Sequence, residues 1–197
     1  MNLWVRLFWL LIAVAWRRKL DPRHEASSLT FRVLPSDLDP NLHMNNGRYL
    51  TIMDLGRLDL MLRSGLWRPL WNNGWAPMVG SVVIRFRREL RLFERFTLQT
   101  RIAAWSDTTA VLEQTFFLTD GPKEGPMAAR ALVKAGFYDR KDRSFVTIRR
   151  LIAELGLPAE ETESPPLSPE IEAFLRSEAA LRRPGAGPQN DDRGSPD

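Results

Sequence analysis

Residues 37–49 bring together more chemically capable side chains than any other stretch of the chain. The segment reads Asp-Leu-Asp-Pro-Asn-Leu-His-Met-Asn-Asn-Gly-Arg-Tyr, so two carboxylates, a histidine and three side-chain amides share one short loop. Asp39 could act as a general base or as a nucleophile. Asn45 or Asn46 could cap a helix that begins here, and the free amides at a helix start can stabilise a developing negative charge. These residue types predict a catalytic loop; the alternative is a turn and helix cap of the same composition.

An apolar segment with the length of a helix follows this loop directly. It runs over 47–64, and Gly65 suits the left-handed position that ends a helix. Apolar residues occupy most of its circumference, which is typical of a buried helix. Gly56 lies in its middle, where glycine lowers the stability of a free helix by about 1 kcal/mol relative to alanine. We therefore expect a buried central helix that packs closely on a neighbouring element at Gly56.

Patterns typical of strands precede and follow this helix. The first covers 29–34, and turn signals separate four later ones, at 80–87, 96–105, 110–119 and 127–138. Their spacing favours an antiparallel meander. Together these elements predict an α+β fold in which an antiparallel sheet of five or six strands wraps around one long central helix.

The N-terminal segment is apolar and aromatic, with Arg6 as its one charge before the basic run at 17–19. It is short for crossing a bilayer, which takes about 20 apolar residues, and the basic run after it argues against a cleaved signal peptide. We expect a helix within 1–20 that either lies in the membrane interface or docks on the domain's own apolar surface. The expected location is cytoplasmic, with attachment to a membrane surface through this helix.

The remaining boundaries follow from composition. A polar linker is expected over 21–28, one domain over 29–146, and a helical extension over 147–183 with helices at 148–155 and 169–183. The tail, 184–197, has no apolar residue larger than alanine, which predicts disorder.

Composition restricts the chemistry. The chain has 197 residues, no cysteine and two histidines, which excludes disulfides and a cysteine nucleophile and argues against a histidine-built zinc site. We therefore expect neither a metal nor a cofactor. The net charge of +4 allows anionic partners such as phosphorylated ligands.

The loop residues and the order of elements resemble the hotdog-fold acyl-CoA thioesterases of the 4-hydroxybenzoyl-CoA type. In that family a strand leads to an Asp-x-Asp loop, then to His-x-Asn-Asn-x-x-Tyr or a near variant, and then to the central helix. Here these positions read Asp37-Leu38-Asp39 and His43-Met44-Asn45-Asn46-Gly47-Arg48-Tyr49, and the resemblance covers roughly residues 29–140. It implies the hotdog fold and hydrolysis of an acyl-CoA or acyl-carrier thioester.

The resemblance also assigns candidate roles. Asp39 matches the family's catalytic carboxylate, the amides around 45–47 would hold the thioester carbonyl oxygen, and His43 and Asn45 would orient the loop or the water. Leu42 stands where many relatives have glycine. The candidate catalytic residues are Asp39, His43, Asn45 and Asn46, and the candidate substrate-binding residues are Tyr49, Asp54, Gly80, Ser81, Arg85 and Arg87.

Several of these candidates carry a more specific expectation. Tyr49 and Asp54 are expected on one side of the central helix, Asp54 at a place where relatives often have an acid. A small sheet around one helix leaves an open edge, so we expect at least a homodimer. The resemblance implies an active site at that interface, with Gly80 and Ser81 facing the partner's loop.

Two clusters leave alternatives open. The arginines at 85, 87, 88, 91 and 95 are expected to hold the phosphates of coenzyme A, with Arg101, Arg130 and Lys134 as further candidates, rather than nucleic acid. Three tryptophans, Trp67, Trp71 and Trp75, would either fill the core or line an acyl tunnel.

Two rival functions remain. An acyl-CoA hydratase of the same fold uses an Asp and a His on one loop, but here His43 follows Asp39 one residue closer than in that motif. The other rival is a non-catalytic module that binds acyl thioesters, because a fold does not by itself carry an activity.

Overall fold

The structure is a computed structural model that describes residues 3–119, 125–156 and 163–182. The helices are α1 (Leu3–Val14), α2 (Asn46–Ser64), α3 (Trp67–Asn73), α4 (Ile148–Glu154) and α5 (Pro169–Arg182). The strands are β1 (Ser27–Arg32), β2 (Trp75–Phe86), β3 (Arg95–Trp105), β4 (Thr109–Leu118), β5 (Met127–Asp139) and β6 (Ser144–Phe145). The chain divides into two compact units, 1–166 and 167–197, and α5 belongs to the second. The predicted disordered tail, 184–197, lies outside the described residues.

The strands form one antiparallel sheet in the order β1-β3-β4-β5-β2, and β6 pairs with β5. The meander prediction holds for β3, β4 and β5 but is wrong for β2, which pairs with β5 at the far edge of the sheet. The reason is the connection 87–94, which is too long for a hairpin and returns across the molecule to β1. Along it, the Val33 N–H donates to the Glu94 carbonyl at 2.9 Å. The sheet therefore has two edge strands, β1 and β2.

Helix α2 is the buried central helix that the sequence predicts. The Asn45 side chain caps it by accepting from the Gly47 N–H at 2.8 Å, and Gly65, at φ +81°, ends it in the left-handed conformation. At Gly56 the backbone lies so close to the sheet that an added Cβ would be 2.8 Å from Leu98 Cδ2 and 3.1 Å from Gln114 Nε2. The close packing expected at Gly56 is therefore confirmed.

The tryptophan segment differs from the prediction. Residues 67–73 form the helix α3, which sequence reasoning missed, and β2 starts at residue 75 instead of 80. Trp75 is buried and donates its indole N–H to Asp139 Oδ2 at 2.9 Å. Trp67 and Trp71 lie at the surface, because α3 has its inner face formed by Pro69 and Leu70. Neither core filling nor tunnel lining describes the three tryptophans as a group.

Helix α1 docks on the domain and keeps an apolar outer face. Its inner apolar residues pack with Leu29 of β1 and Leu55 of α2. Arg6 of α1 forms an ion pair with the buried Asp37, and Arg17, just after the helix, forms one with the buried Asp59. On the outer face the large residues are exposed, namely Trp4, Phe8, Trp9 and Leu11. Within the described ranges, no helix has the length and apolarity needed to cross a membrane.

Candidate active site

The loop between β1 and α2 is closed by its own backbone. The Asn45 N–H donates to the Asp37 carbonyl at 2.9 Å, and the Asp39 N–H donates to the His43 carbonyl at 3.0 Å. Leu38 and Met44 face each other in an antiparallel bridge. These contacts join the end of the loop to its beginning, directly before α2. They therefore hold Asp39 close to the start of that helix.

Leu42 forms the tight part of this loop. Its φ is +64°, in the left-handed region that favours glycine, and its side chain is exposed. This is the position at which many proteins of the type that the sequence resembles have glycine. The chain therefore keeps the glycine-like backbone without glycine, and a non-glycine residue in this conformation costs roughly 1–2 kcal/mol.

The two carboxylate oxygens of Asp39 have different surroundings. Oδ1 accepts from the Asn41 N–H at 2.9 Å, which makes the residue the start of a small side-chain-closed turn. Oδ2 lies 3.4 Å from Nδ1 of His43. The side chain is 15 % exposed, so it is mostly shielded but open to water at one side. Oδ1 thus stabilises the loop, whereas Oδ2 faces the histidine and accepts no backbone hydrogen bond from the described residues.

The amides predicted to hold an oxyanion are only partly free. The Asn45 N–H is bound to Asp37 and the Gly47 N–H to the Asn45 side chain. The Asn46 N–H has no hydrogen-bond partner within the described part of the chain, and Asn46 is exposed at the first position of α2. Of the three, this N–H is the one free to donate to a ligand. Asn45 acts as the helix cap and thereby orients the loop.

The expectation that Tyr49 and Asp54 share one side of α2 is wrong. Because each residue advances an α-helix by about 100°, two side chains five positions apart point in directions about 140° apart. Tyr49 is buried, with its ring centre 5.0 Å from that of Phe86 and 4.9 Å from that of Phe116. This burial raises the pKa of the Tyr49 phenol to about 12. Asp54 is exposed on the opposite side and pairs with Arg57. Tyr49 is thus part of the core beneath the loop, whereas Asp54 is open to a ligand.

The four candidates on and after β2 fall into two groups. Gly80 and Ser81 lie in the middle of the edge strand, at a bulge where pairing with β5 shifts between Val79 and Ser81. Arg85 and Arg87 are exposed near the end of β2. The chain then runs directly to the candidate loop, where the Met44 N–H donates to the Leu90 carbonyl at 2.8 Å and His43 forms a bridge with Arg91.

The structure therefore places Arg85 and Arg87 shortly before the segment that contacts the loop of Asp39, and it leaves Gly80 and Ser81 on the open edge. Among the further arginine candidates, Arg101 and Arg130 both bind Glu113, which engages them in an ion-pair network across strands β3, β4 and β5.

A separate apolar cavity of about 430 Å³ lies between α4, the C-terminal half of α2 and the sheet. Its polar rim includes Asp54 and Arg57, and Arg57 also donates to the Gln114 side chain at 2.6 Å. Burial lowers the pKa of the Arg57 guanidinium, and Asp54 partly offsets this. Among the described residues, the cavity wall includes none from the loop 37–47. Representative wall residues are Leu58, Met61, Met78, Ile102, Leu151 and Ile152.

The described residues contain no group of three or more His, Cys, Asp or Glu side chains placed to hold a metal ion. What the loop offers is a carboxylate, a histidine and a helix-start amide. Such a set can activate a nucleophile and bind a developing oxyanion.

Comparison with known proteins identifies the family. A family model described as the thioesterase-like superfamily matches residues 33–175, which include the loop, α2 and the whole of β2 to β5. The chain belongs to the thioesterase-like superfamily. The match confirms the family resemblance and, with the strand order and central helix, the hotdog fold.

Individual relatives of the superfamily agree with this assignment. Protein THEM6 of Xenopus laevis is 43% identical over 84 residues, 43% of this chain and 41% of that protein, so the match spans less than half the length of that curated relative. The probable thioesterase YbaW of Escherichia coli has a TM-score of 0.59 at 23% identity over 65% of this chain and 94% of its own. A variant of 4-hydroxybenzoyl-CoA thioesterase, solved with 4-hydroxybenzoyl-CoA, has a TM-score of 0.58 at 16% identity over 66% of this chain and 97% of its own. At these identities, the two solved structures support the fold alone.

Proposed function

We propose that this member of the thioesterase-like superfamily hydrolyses an acyl-CoA or acyl-carrier thioester to the free acid and thiol, with Asp39 as the catalytic carboxylate. The observation that carries the proposal is the asymmetry of Asp39: Oδ1 accepts from the Asn41 N–H, while Oδ2 lies 3.4 Å from His43 Nδ1. Among the described residues, the Asn46 N–H at the start of α2 has no hydrogen-bond partner and is the candidate oxyanion donor. The solved 4-hydroxybenzoyl-CoA thioesterase variant, with an acyl-CoA bound, supports the substrate class.

The reaction needs an oxygen nucleophile, an oxyanion donor and a proton for the leaving sulfur. As a general base, Asp39 Oδ2 removes a proton from water while the water oxygen attacks the thioester carbon. The carbonyl oxygen takes up the negative charge and accepts from the Asn46 N–H. The intermediate then expels the thiolate, which takes the proton from Asp39. As a nucleophile, Asp39 would instead form an anhydride that water cleaves, and one labelled-water turnover distinguishes the two routes.

The charge distribution supports a coenzyme A carrier. Arg85 and Arg87 are exposed next to the segment that contacts the loop, and Arg88 follows them. Guanidinium groups bind phosphate oxygens in pairs, so this end of β2 is suited to the phosphates of coenzyme A. An acyl-carrier protein would present its phosphopantetheine to the same surface.

A homodimer would complete the site. β2 is a long edge strand along which large apolar residues are partly exposed, namely Met78, Val79, Val82, Val83 and Phe86. Natural sheets avoid leaving such edges open, because they pair with other chains. Antiparallel pairing of two β2 strands around Gly80 and Ser81 would join two sheets by a two-fold axis.

That pairing would place the cavity of one protomer near the loop of the other. The N-terminal half of β2 lines the cavity through Pro77, Met78 and Val79, while its C-terminal end leads to the loop. In an antiparallel pair, the N-terminal half of one strand lies opposite the C-terminal half of its partner. Within one chain the cavity and Asp39 lie at opposite halves of α2, so the acyl group would enter the partner's cavity past Asp54.

We further propose that the outer face of α1 rests on a membrane surface. Trp4 is 71% exposed, Phe8 lies one turn further on the same side of α1 and is 60% exposed, and the adjacent Trp9 is also 60% exposed. Tryptophan and apolar side chains on one face of a docked helix favour the interface between headgroups and acyl chains. A lipid surface would also be a source of long-chain acyl groups.

The central experiment measures thiol release from benzoyl-CoA and a straight-chain acyl-CoA series, from acetyl to palmitoyl, by wild type, Asp39→Asn and Asp107→Asn. Asparagine retains the oxygen that accepts from the Asn41 N–H, so the loop should persist while the charge is lost. We expect a fall in kcat of at least about 100-fold for Asp39→Asn. The control removes an exposed carboxylate in the β3–β4 turn and should retain the wild-type rate.

Other outcomes assign the rival functions. Wild-type rates in Asp39→Asn would end the proposed role of that carboxylate. Tight binding of acyl-CoA without thiol release by the wild type would identify a binding module. Gain or loss of a double bond, detected by mass spectrometry of the acyl-CoA, would identify a hydratase.

A further inference from the structure

Helix α1 carries a buried arginine that reaches the base of the candidate catalytic loop. The Arg6 side chain is 4% exposed, although every other residue of α1 is uncharged. Its guanidinium donates to Asp37 Oδ2 at 2.5 Å and to the Arg32 carbonyl at 3.0 Å, and it lies 5.6 Å from the ring centre of Phe31. A charge buried to this extent is tolerated only with a partner, so Arg6 and Asp37 depend on each other.

Asp37 is in turn the residue on which the loop is assembled. Its Oδ2 also accepts from the Leu34 N–H at 2.9 Å, and Arg48 Nε lies 3.1 Å from Oδ1. Its backbone carbonyl accepts from the Asn45 N–H, the cap of α2. One carboxylate thus joins α1, the end of β1, and the first turn of α2, and it stands two residues before Asp39.

We propose that Arg6 is a positioning residue for Asp39, which makes α1 part of the catalytic apparatus and not only an appendage. The inference rests on the proposed function, because it concerns where Asp39 is held relative to the Asn46 N–H. Loss of the guanidinium leaves Asp37 buried with one positive partner fewer, and the loop that Asp37 anchors has to rearrange. Misplacement of a catalytic group by about 1 Å can lower a rate by about 100-fold.

The chain supplies a matched control three residues after the end of α1. Arg17 also pairs with a buried carboxylate, donating to Asp59 Oδ1 at 2.8 Å and to the Ser28 carbonyl at 2.6 Å. Asp59 lies in the C-terminal half of α2, far along the helix from the loop. Arg17→Gln therefore weakens the attachment of the N-terminal segment without touching Asp37.

The test compares thiol release by wild type, Arg6→Gln, Arg17→Gln, Asp39→Asn and Arg6→Gln/Asp39→Asn, on the acyl-CoA of the above series that the wild type cleaves fastest. We expect Arg6→Gln to lower kcat by at least tenfold with KM within about twofold, and Arg17→Gln to keep kcat within twofold. In the Asp39→Asn background, Arg6→Gln should lower the residual single-turnover rate no further, because Arg6 acts through Asp39. Arg6→Lys should recover part of kcat.

Two results would overturn the inference. The first is a folded Arg6→Gln protein with kcat within twofold of wild type. The second is an equal loss of rate in the wild-type and Asp39→Asn backgrounds, which would indicate a general structural role. If Arg6→Gln does not fold, the double variant Arg6→Met/Asp37→Asn, which replaces the buried pair with neutral groups, is measured in its place. The same two results would then overturn the inference.

A measurement that does not depend on catalysis distinguishes this inference from the proposed function. Hydrogen exchange at the Asp39 and Asn45 amides reports the two bonds that close the loop. We expect faster exchange there in Arg6→Gln and wild-type exchange in Arg17→Gln; unchanged exchange in both variants would refute the inference even for a protein that cleaves no acyl-CoA. Conversely, wild-type rates in Asp39→Asn would refute the catalytic role of Asp39 while leaving the exchange result intact.

Discussion

At the scale of single residues, the structural and catalytic interpretations of the loop turn out to be compatible. Asp39 closes a turn with Oδ1, as an aspartate in a loop commonly does, and still presents Oδ2 to His43. Asn45 is an ordinary helix cap that binds the Gly47 N–H, and among the residues that the structure describes the Asn46 N–H has no partner. The turn and cap are thus the means by which the reactive groups are held.

Leu42 provides a prediction about the cost of this loop. At φ +64°, glycine removes the steric strain of leucine, whereas a β-branched residue adds to it. We expect the free energy of unfolding of Leu42→Gly to lie between the wild-type value and about 1 kcal/mol above it. That of Leu42→Val should lie about 1 kcal/mol below the wild-type value. Urea titrations check the order of the three proteins, and a valine variant more stable than the glycine variant would contradict it.

Tyr49 provides a prediction about pH. Burial raises the pKa of its phenol to about 12, so the folded state holds this proton more tightly than the unfolded chain, whose tyrosines titrate near 10. The stability that this gives is complete below about pH 10 and is lost as the pH rises through 12. We expect the tyrosinate absorbance that distinguishes wild type from Tyr49→Phe to appear near pH 12 in folded protein. Its appearance near pH 10 would place Tyr49 in contact with water.

Sequence reasoning predicted the candidate catalytic loop but not the contacts that hold it in place. The types and spacing of residues 37–49 were sufficient for the loop, its cap and the family resemblance. The contact between Arg6 and Asp37 joins positions 31 residues apart, and no local pattern predicts it. A lone charge within an apolar segment was the available signal, because such a charge needs a buried partner. Placing Tyr49 and Asp54 on one face failed for a simpler reason, the helical period itself.

At the scale of elements, local sequence patterns predicted α2 correctly but did not predict the full order of the strands in the sheet. A cap at Asn45, a left-handed glycine at 65 and a long apolar run define the helix within the sequence itself. The position of β2 depends on contacts between distant residues, since it pairs with β5 and not with β3, which follows it in the chain. Spacing alone does not distinguish these partners. Helix α3 was missed because its two tryptophans, Trp67 and Trp71, resemble core residues, although both are exposed.

Gly56 gives the prediction at this scale. Alanine favours a helix by about 1 kcal/mol, but its methyl group would meet Leu98 and the Thr100 hydroxyl on the sheet beneath. Overpacking of this kind costs about 1–3 kcal/mol, so we expect Gly56→Ala to lower the free energy of unfolding by about 1–2 kcal/mol. Leu50→Ala, on the exposed side of α2, serves as the control and should change it by less. Stabilisation by Gly56→Ala would show that the helix does not contact the sheet as closely as described.

At the scale of the whole molecule, the unoccupied edge of β2 leads to a prediction about assembly. Val83 is 53% exposed in the middle of this edge, and a lysine there would oppose strand pairing. We expect a dimer for the wild type in light scattering at about 10 µM, a monomer for Val83→Lys, and loss of most thioesterase activity in that monomer, because the site would combine two chains.

The control for assembly is Trp71→Lys, which adds the same charge at an exposed residue of α3. It should leave both the dimer and the activity intact. A monomeric wild type would contradict the assembly, and a fully active Val83→Lys monomer would contradict the shared site while leaving Asp39 catalysis untouched.

The outer face of α1 leads to the second prediction at this scale, and the ion pairs of the structure refine it. Arg17 pairs with Asp59 and Arg18 with Glu25, so two of the three basic residues after α1 are already paired with carboxylates within the chain. Attachment to lipid should therefore depend mainly on the apolar side chains. We expect binding to vesicles of zwitterionic lipid, strengthened only modestly by anionic lipid or low salt.

Replacement of the exposed tryptophans tests which part of the molecule makes this contact. Trp4→Ser/Trp9→Ser removes two aromatic side chains from the outer face, whereas Trp71→Ser removes an equally large one, 83% exposed, from α3. In a flotation assay with phosphatidylcholine vesicles, the double variant should lose at least about tenfold in partitioning, since burying a side chain of this size contributes a few kcal/mol. The Trp71 variant should partition like the wild type. Equal loss in both variants would mean that exposed tryptophan in general binds the lipid, and retention in the double variant would mean that α1 faces something other than a membrane.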